Sequence, residues 1–198
     1  SNLHKKFIAD GQLHGIEIVN EGTYSEEAFN IALENNLALI GTSDVHNLIE
    51  WDYLTKKGEH RPVTLIFAKE RTKDSLREAL FQRRTAIWFK EILIGKEENL
   101  LPLLNSIIEL ESAGYAKGTQ ILKVVLKNNS SALIQLKNLS AYTFFDSTNL
   151  VNLPGNSEIV IRVKTIKNLD KLELDFQVLN ALIAPNMNPT VKLVTKIK

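Results

Sequence analysis

Two apolar runs separated by one amphipathic stretch constrain this fold most. Gly15-Ile16-Glu17-Ile18-Val19-Asn20 is β-branched and reads as a strand. Ala28, Phe29, Ile31, Ala32 and Leu33 fall at helical spacing and lead to Asn35-Asn36. Thr23-Tyr24-Ser25-Glu26 has the form of a capping box at the start of that helix, with Thr23 as N-cap. Leu37-Ala38-Leu39-Ile40-Gly41-Thr42 is the second run. Strand, helix and strand in so short a span make a βαβ unit, which requires parallel strands and a right-handed crossover.

The second run breaks at Gly41 into small and polar residues, Thr42-Ser43-Asp44-Val45-His46-Asn47. In extended backbone, residues two apart face the same side. Asp44 and His46 then present a carboxylate oxygen and an imidazole nitrogen together, just past the C-terminal end of the strand. Ligands gather at that end of the strands in barrel and doubly wound α/β folds. Such a donor pair suits Zn, Mn or Fe rather than Ca or Mg. An Asx-turn at Asp44 with a surface His46 accounts for the same spacing. Glu17 interrupts an apolar strand and needs a partner, which a basic group, a metal or water at the strand end would supply. Asn20 closes the strand, either as a ligand contact or as a turn residue.

The remainder of the first half alternates in kind. Leu3, Phe7 and Ile8 read as a helix tail that Gly11 stops. Residues 47–62 form a long loop with Trp51, Tyr53, His60 and Arg61. His60-Arg61 suits an anionic group such as phosphate, or is an ordinary solvated basic pair. Trp51 and Tyr53 wall a pocket or pin the loop, and pinning is the favoured reading. Val63–Lys69 is a third strand, and Thr72-Lys73-Asp74-Ser75 offers N-caps for a helix ending at Arg83-Arg84. Those arginines complement the helix dipole rather than clamp phosphate. Thr85–Phe89 is a further short strand.

From Glu91 the pattern changes. Residues 97–112 read as a connecting helix with Pro102 near its start, ended by Gly114 and Gly118. Beyond Thr119 the chain is all-β. Six candidate strands are Ile121–Lys127, Leu133–Leu139, Tyr142–Phe145, Ile159–Ile166, Leu172–Leu179 and Val191–Ile197. Short strands with frequent turns suggest a β-sandwich. Phe144 and Phe145 are adjacent, so one of them at most faces the core. This half has no histidine and no carboxylates at metal spacing.

Composition narrows the function classes. A formal net charge of +1 gives no nucleic-acid footprint. The absence of cysteine removes disulfides, thiolate metal sites and thiol nucleophiles. No apolar run approaches the ~18 residues of a membrane span.

With the strand-helix-strand and Gly41-Thr42-Ser43-Asp44-Val45-His46 in view, residues 3–95 resemble the closing segment of the PHP (polymerase and histidinol phosphatase) family. Gly58-Glu59-His60-Arg61-Pro62 and Phe67-Ala68-Lys69-Glu70-Arg71 look closest to PHP phosphoesterases of Bacteroidetes-like bacteria. The resemblance implies a distorted seven-stranded β/α barrel. It also implies a centre of two or three metals that hydrolyses phosphate esters with a bridging hydroxide. Asp44 and His46 match the family's last metal-ligand motif, whereas Glu17 is not carried over as a ligand. The family opens with His-x-His on its first strand. This chain has four histidines, His4, His14, His46 and His60, and no such motif. A single catalytic zinc already uses three protein ligands.

The expectation is therefore an α/β region, a partial PHP-type distorted β/α barrel, followed by an all-β immunoglobulin-like sandwich. The expected bounds are 1–95 for the barrel part, 96–118 for a connecting helix and linker, and 119–198 for the sandwich. The chain is expected to be a C-terminal fragment of a metal-dependent phosphoesterase, inactive alone. Metal ligands are Asp44 and His46, and substrate-binding candidates are His60, Arg61 and Asn20. The cofactor is a divalent Zn, Mn or Fe in the complete protein, with none held by the fragment. The partner is a phosphorylated small molecule, and the open barrel edges are free to pair with another chain. The alternative is a non-catalytic interaction or carbohydrate-binding module. The plainest role for the sandwich is to cover and stabilise the barrel.

Overall fold

The computed structural model describes residues 2–197. The chain divides into two compact units. The first runs to Leu100 and also takes Ala181–Met187, and the second holds Leu101–Asn180 and the chain from Asn188 on.

In the first unit, α1 (Asn2–Ala9) ends as expected, with Gly11 at φ +66° and its N–H on the Ile8 carbonyl. The βαβ unit then follows: β1 (Gly15–Asn20), α2 (Glu26–Glu34) and β3 (Ala38–Thr42), with β1 and β3 parallel. The cap differs from the expected one. Thr23-Tyr24 forms a short strand, β2, antiparallel to the end of β1, and the Thr23 hydroxyl donates to the Asn20 carbonyl at 2.7 Å. The helix therefore starts later, capped by Ser25, whose Oγ accepts the Ala28 N–H at 3.1 Å. Phe29 and Ala32 on α2 pack with Ile18, Val19, Leu37 and Leu39 in the core.

The loop after β3 contains one helical turn, α3 (Ile49–Asp52), and a 3-10 turn at Thr55–Lys57. Next come β4 (Val63–Ile66), α4 (Lys73–Phe81), β5 (Thr85–Phe89) and β6 (Ile92–Gly95). Thr72 caps α4 through the Ser75 N–H. β5 lies antiparallel to both β4 and β6, and Ala181–Leu182 adds a parallel strand on β6. The described strands of this unit thus hydrogen-bond as a three-stranded and a four-stranded sheet.

Side chains join the two sheets. Thr64 Oγ1 accepts the Gly41 N–H and donates to the Gly41 carbonyl, both at 2.9 Å. Thr85 Oγ1 accepts the Leu39 N–H at 3.1 Å. These two hydroxyls satisfy backbone groups along β3. Gly41 has its own packing reason. A Cβ there would lie 2.5 Å from Ile87 Cγ2, so only glycine lets β3 approach β5.

Helix α5 (Glu97–Ile107) leaves the first unit at Leu100 and contains Pro102. The helical reading of residues 97–112 holds only to Ile107. Ile108–Tyr115 is a strand, antiparallel to Ile121–Asn128, with Ile108 and Leu110 buried and Glu109 and Glu111 exposed.

The second unit is two four-stranded antiparallel sheets. One orders Thr143–Phe144, Ser157–Lys164, Ile121–Asn128 and Ile108–Tyr115. The other orders Leu150–Leu153, Ile134–Asn138, Lys171–Val178 and Thr190–Lys196. Alternation builds it: Leu172, Leu174, Phe176 and Val178 are buried while Lys171 and Glu173 face out. Phe144 is buried and Phe145 exposed. Leu150–Leu153 was not anticipated from sequence.

Candidate functional site

The C-terminal end of β3 delivers the site. The chain leaves the strand at Thr42, and Asp44 turns into left-handed backbone at φ +48°. The backbone is therefore not extended at Asp44, and strand alternation does not carry from it to His46. The two side chains meet nonetheless: His46 Nε2 lies 3.6 Å from Asp44 Oδ1. Both are open to solvent, His46 at 82% and Asp44 at 53% side-chain exposure. The Asp44 carboxylate faces the His46 ring. An exposed pair at this distance contributes on the order of 1 kcal/mol or less to stability, so the fold itself gains little from it.

Asp44 and His46 line a cleft of about 430 Å³ with Glu21, Tyr53, His60 and Lys90. Burial, followed by the Glu21 and Asp52 charges, raises Tyr53 above the ordinary phenol value, so its hydroxyl remains a proton donor at neutral pH. The His60 ring is committed elsewhere. Its Nδ1 faces the Arg61 carbonyl at 2.7 Å, its Nε2 faces the Lys90 carbonyl at 2.8 Å, and it stacks on Trp88 with centroids 3.8 Å apart. Both ring nitrogens thus meet backbone acceptors, and His60 braces the loop against the β5–β6 turn. Arg61 is exposed. Asn20 donates its amide to Glu17 Oε2 at 3.1 Å, and the Thr42 hydroxyl donates to Glu17 Oε1. Glu17 has found its partners there, across β1 and β3. Trp51 is 72% exposed, against the expectation that its ring is packed down to hold the loop.

Lys90 is the cleft residue that sequence reasoning missed. It occupies the turn between β5 and β6 at φ +54°, with Nζ 4.8 Å from the Phe89 ring centroid and 3.5 Å from the Gly22 carbonyl. The signal was present: Phe89-Lys90-Glu91-Ile92 is a two-residue polar turn between apolar strands.

The donor set fits part of a metal centre. Asp44 and His46 supply one oxygen and one nitrogen. Among the described residues, no group of three His, Cys, Asp or Glu side chains is placed to hold an ion. Two donors fall short of the three that a catalytic zinc takes from protein.

Comparison with known proteins follows the same division. Residues 108–194 match a family described as an Ig-like domain. No curated protein matches the chain. The chain is similar to the crystal structure of a two-domain protein from Bacteroides vulgatus that contains a predicted PHP-like metal-dependent phosphoesterase. The identity is 32% and the TM-score 0.86, over 97% of this chain and 55% of that one. The chain thus spans about half the length of that relative. The molecule is mostly β, with an Ig-like match over residues 108–194 and a PHP-like structural neighbour.

Proposed function

We propose that this chain is the C-terminal portion of a PHP-type metal-dependent phosphoesterase acting on phosphorylated small molecules. The first unit is then part of a distorted β/α barrel, and the Ig-like unit is its appendage. The observation that carries this reading is the Asp44–His46 pair, 3.6 Å apart where a parallel strand stops and at the lip of a cleft. The two-domain Bacteroides vulgatus neighbour supports it.

In this reading, Asp44 Oδ1 and a His46 ring nitrogen bind a divalent Zn, Mn or Fe together with donors from outside the described residues. Such an ion, when bound, polarises the phosphoryl group and lowers the pKa of water. Lys90 supplies the cation that meets phosphate oxygens, in place of Arg61 and His60. Tyr53 offers a hydroxyl donor on the same wall. Asn20 acts indirectly, by fixing Glu17. Among the described residues the ligands fall short of a complete centre, and the chain alone is expected not to turn over.

The test uses the protein expressed from its whole reading frame, assayed on p-nitrophenyl phosphate with added Mn or Zn. Asp44→Asn or His46→Gln is expected to lower bound metal and to lower kcat/KM by at least about a hundredfold, since losing even an outer-shell partner costs up to that much. Normal turnover in either variant at full metal content overturns the reading. The alternative of a glycan-binding sandwich finds less support. Phe145, under Lys164 Nζ at 5.3 Å, is the exposed aromatic ring among the phenylalanines of that unit, and one ring is a small platform.

A further inference from the structure

Lys96 is the first unit's buried cation, and it stands outside the site described above. It lies between β6 and α5, and its carbonyl accepts the Asn99 and Leu100 N–H groups at 3.0 and 2.8 Å. Only 4% of the residue is exposed. Lysines almost never reach that burial unless paired with a carboxylate. Here Nζ donates to the Asn36 amide oxygen, and Lys96 forms no ion pair among the described residues. Asn36 is itself fixed. It sits at φ +49°, and its carbonyl accepts Arg83 Nε at 3.0 Å.

Lys96 and Asn36 both line an open cavity of about 490 Å³, whose other walls include Leu33, Ile183, Met187 and Glu97. The amine therefore combines burial, a neutral partner and a mouth to solvent. Burial lowers the proton affinity of Lys96. Glu98 opposes that shift, and the nearby Arg83 charge adds to it. A simple structural peg would need the Asn36 bond but no cavity beside it.

We propose that Lys96 is a reactive primary amine that condenses with small neutral aldehydes. The Nζ lone pair forms a bond to the carbonyl carbon, and the carbonyl oxygen takes up a proton. The carbinolamine then expels that oxygen as water, with both nitrogen protons leaving Nζ. One aldehyde and one amine give one imine and one water, with no oxidant or reductant. The carboxylates of Glu97 and Glu98 at the rim disfavour anionic aldehydes.

The experiment treats the intact chain at neutral pH with limiting propanal and cyanoborohydride, which traps the imine as a secondary amine, and maps alkylation by mass spectrometry. Lys96 is expected to react several-fold faster than the exposed Lys117, because burial disfavours its protonated form. Asn36→Asp places a carboxylate against Nζ and is expected to slow Lys96 about tenfold with Lys117 unchanged. Equal rates at Lys96 and Lys117 in the unmodified protein overturn the proposal, whether or not the variant folds. Faster trapping of pyridoxal 5′-phosphate than of propanal at Lys96 overturns the assignment of a neutral substrate.

Discussion

A methyl group on Gly41 has nowhere to go, because Ile87 Cγ2 already occupies the space 2.5 Å from it. Gly41→Ala should destabilise the chain by about 1–3 kcal/mol in urea unfolding, the usual cost of overfilling a packed core. Adding Ile87→Ala should return part of that loss, and simple additivity of the two would show that the clash is not the cause. The strand ends at Thr42, as the run Leu37–Thr42 indicates, but the need for glycine at 41 is not written in that run. A contact with a residue 46 positions away has no local signature. The left-handed backbone at Asp44 was equally hidden, since spacing reports periodicity and not the sign of φ. Lys96 carries a pH signature of its own. Its proton affinity is lowered in the folded chain, so the unfolded chain binds more protons between the folded value and 10.5. Stability should therefore rise with pH across that window. The unmodified protein should gain on Lys96→Met as pH rises from neutral toward 10.5, and a constant or shrinking margin would contradict this.

At the scale of elements, helix α2 shows how close a local rule comes. Thr23 and Ser25 both suit an N-cap. The pairing of Val19 with Tyr24 claims Thr23 for the hairpin, leaving Ser25 to cap. Ser25→Ala should cost about 1 kcal/mol in thermal unfolding, and Thr23→Ala should leave the helix start unchanged. Residues 108–115 failed for a different reason. Their apolar positions fit a strand as well as a helix over so short a span, and pairing with Ile121–Asn128 decides between them. The sandwich strands were legible because alternation persists along each. What closes them was not. Asn128 is buried and spreads its amide N–H groups over the Ala132, Leu153 and Pro154 carbonyls, at 2.7 to 3.1 Å. Its oxygen takes the Ser130 N–H and hydroxyl. Asn138 repeats the device, with its oxygen on the Ser140 N–H and hydroxyl and its amide on the Tyr142 carbonyl. Asn128→Ala should cost about 2–4 kcal/mol by stranding those groups, whereas the exposed Asn129→Ala should be nearly neutral. Equal losses would mean that the side-chain bonds are not what holds the turn.

At the scale of the whole molecule, the chain crosses between its units at Leu100, at Asn180 and again at Met187. The sequence showed a change of character near Glu91 but not the return. A parallel strand of two residues, Ala181↔Leu93 and Leu182↔Ile94, is too short to leave a pattern, and its partner lies far upstream. Asp44 and His46 were legible from their place just past a strand end, and again from the resemblance to PHP proteins. That resemblance said nothing of the threonines that satisfy β3 or of the lysine in the β5–β6 turn, because both depend on which strands become neighbours. The stretch that matches an Ig-like family, residues 108–194, therefore contains a seven-residue piece that belongs to the other unit. Modular exchange would be asymmetric as a result. A recombination event that lifted out the downstream module by its sequence limits would also strip β6 of its parallel neighbour, so the two modules cannot be inherited separately without one of them rebuilding an edge.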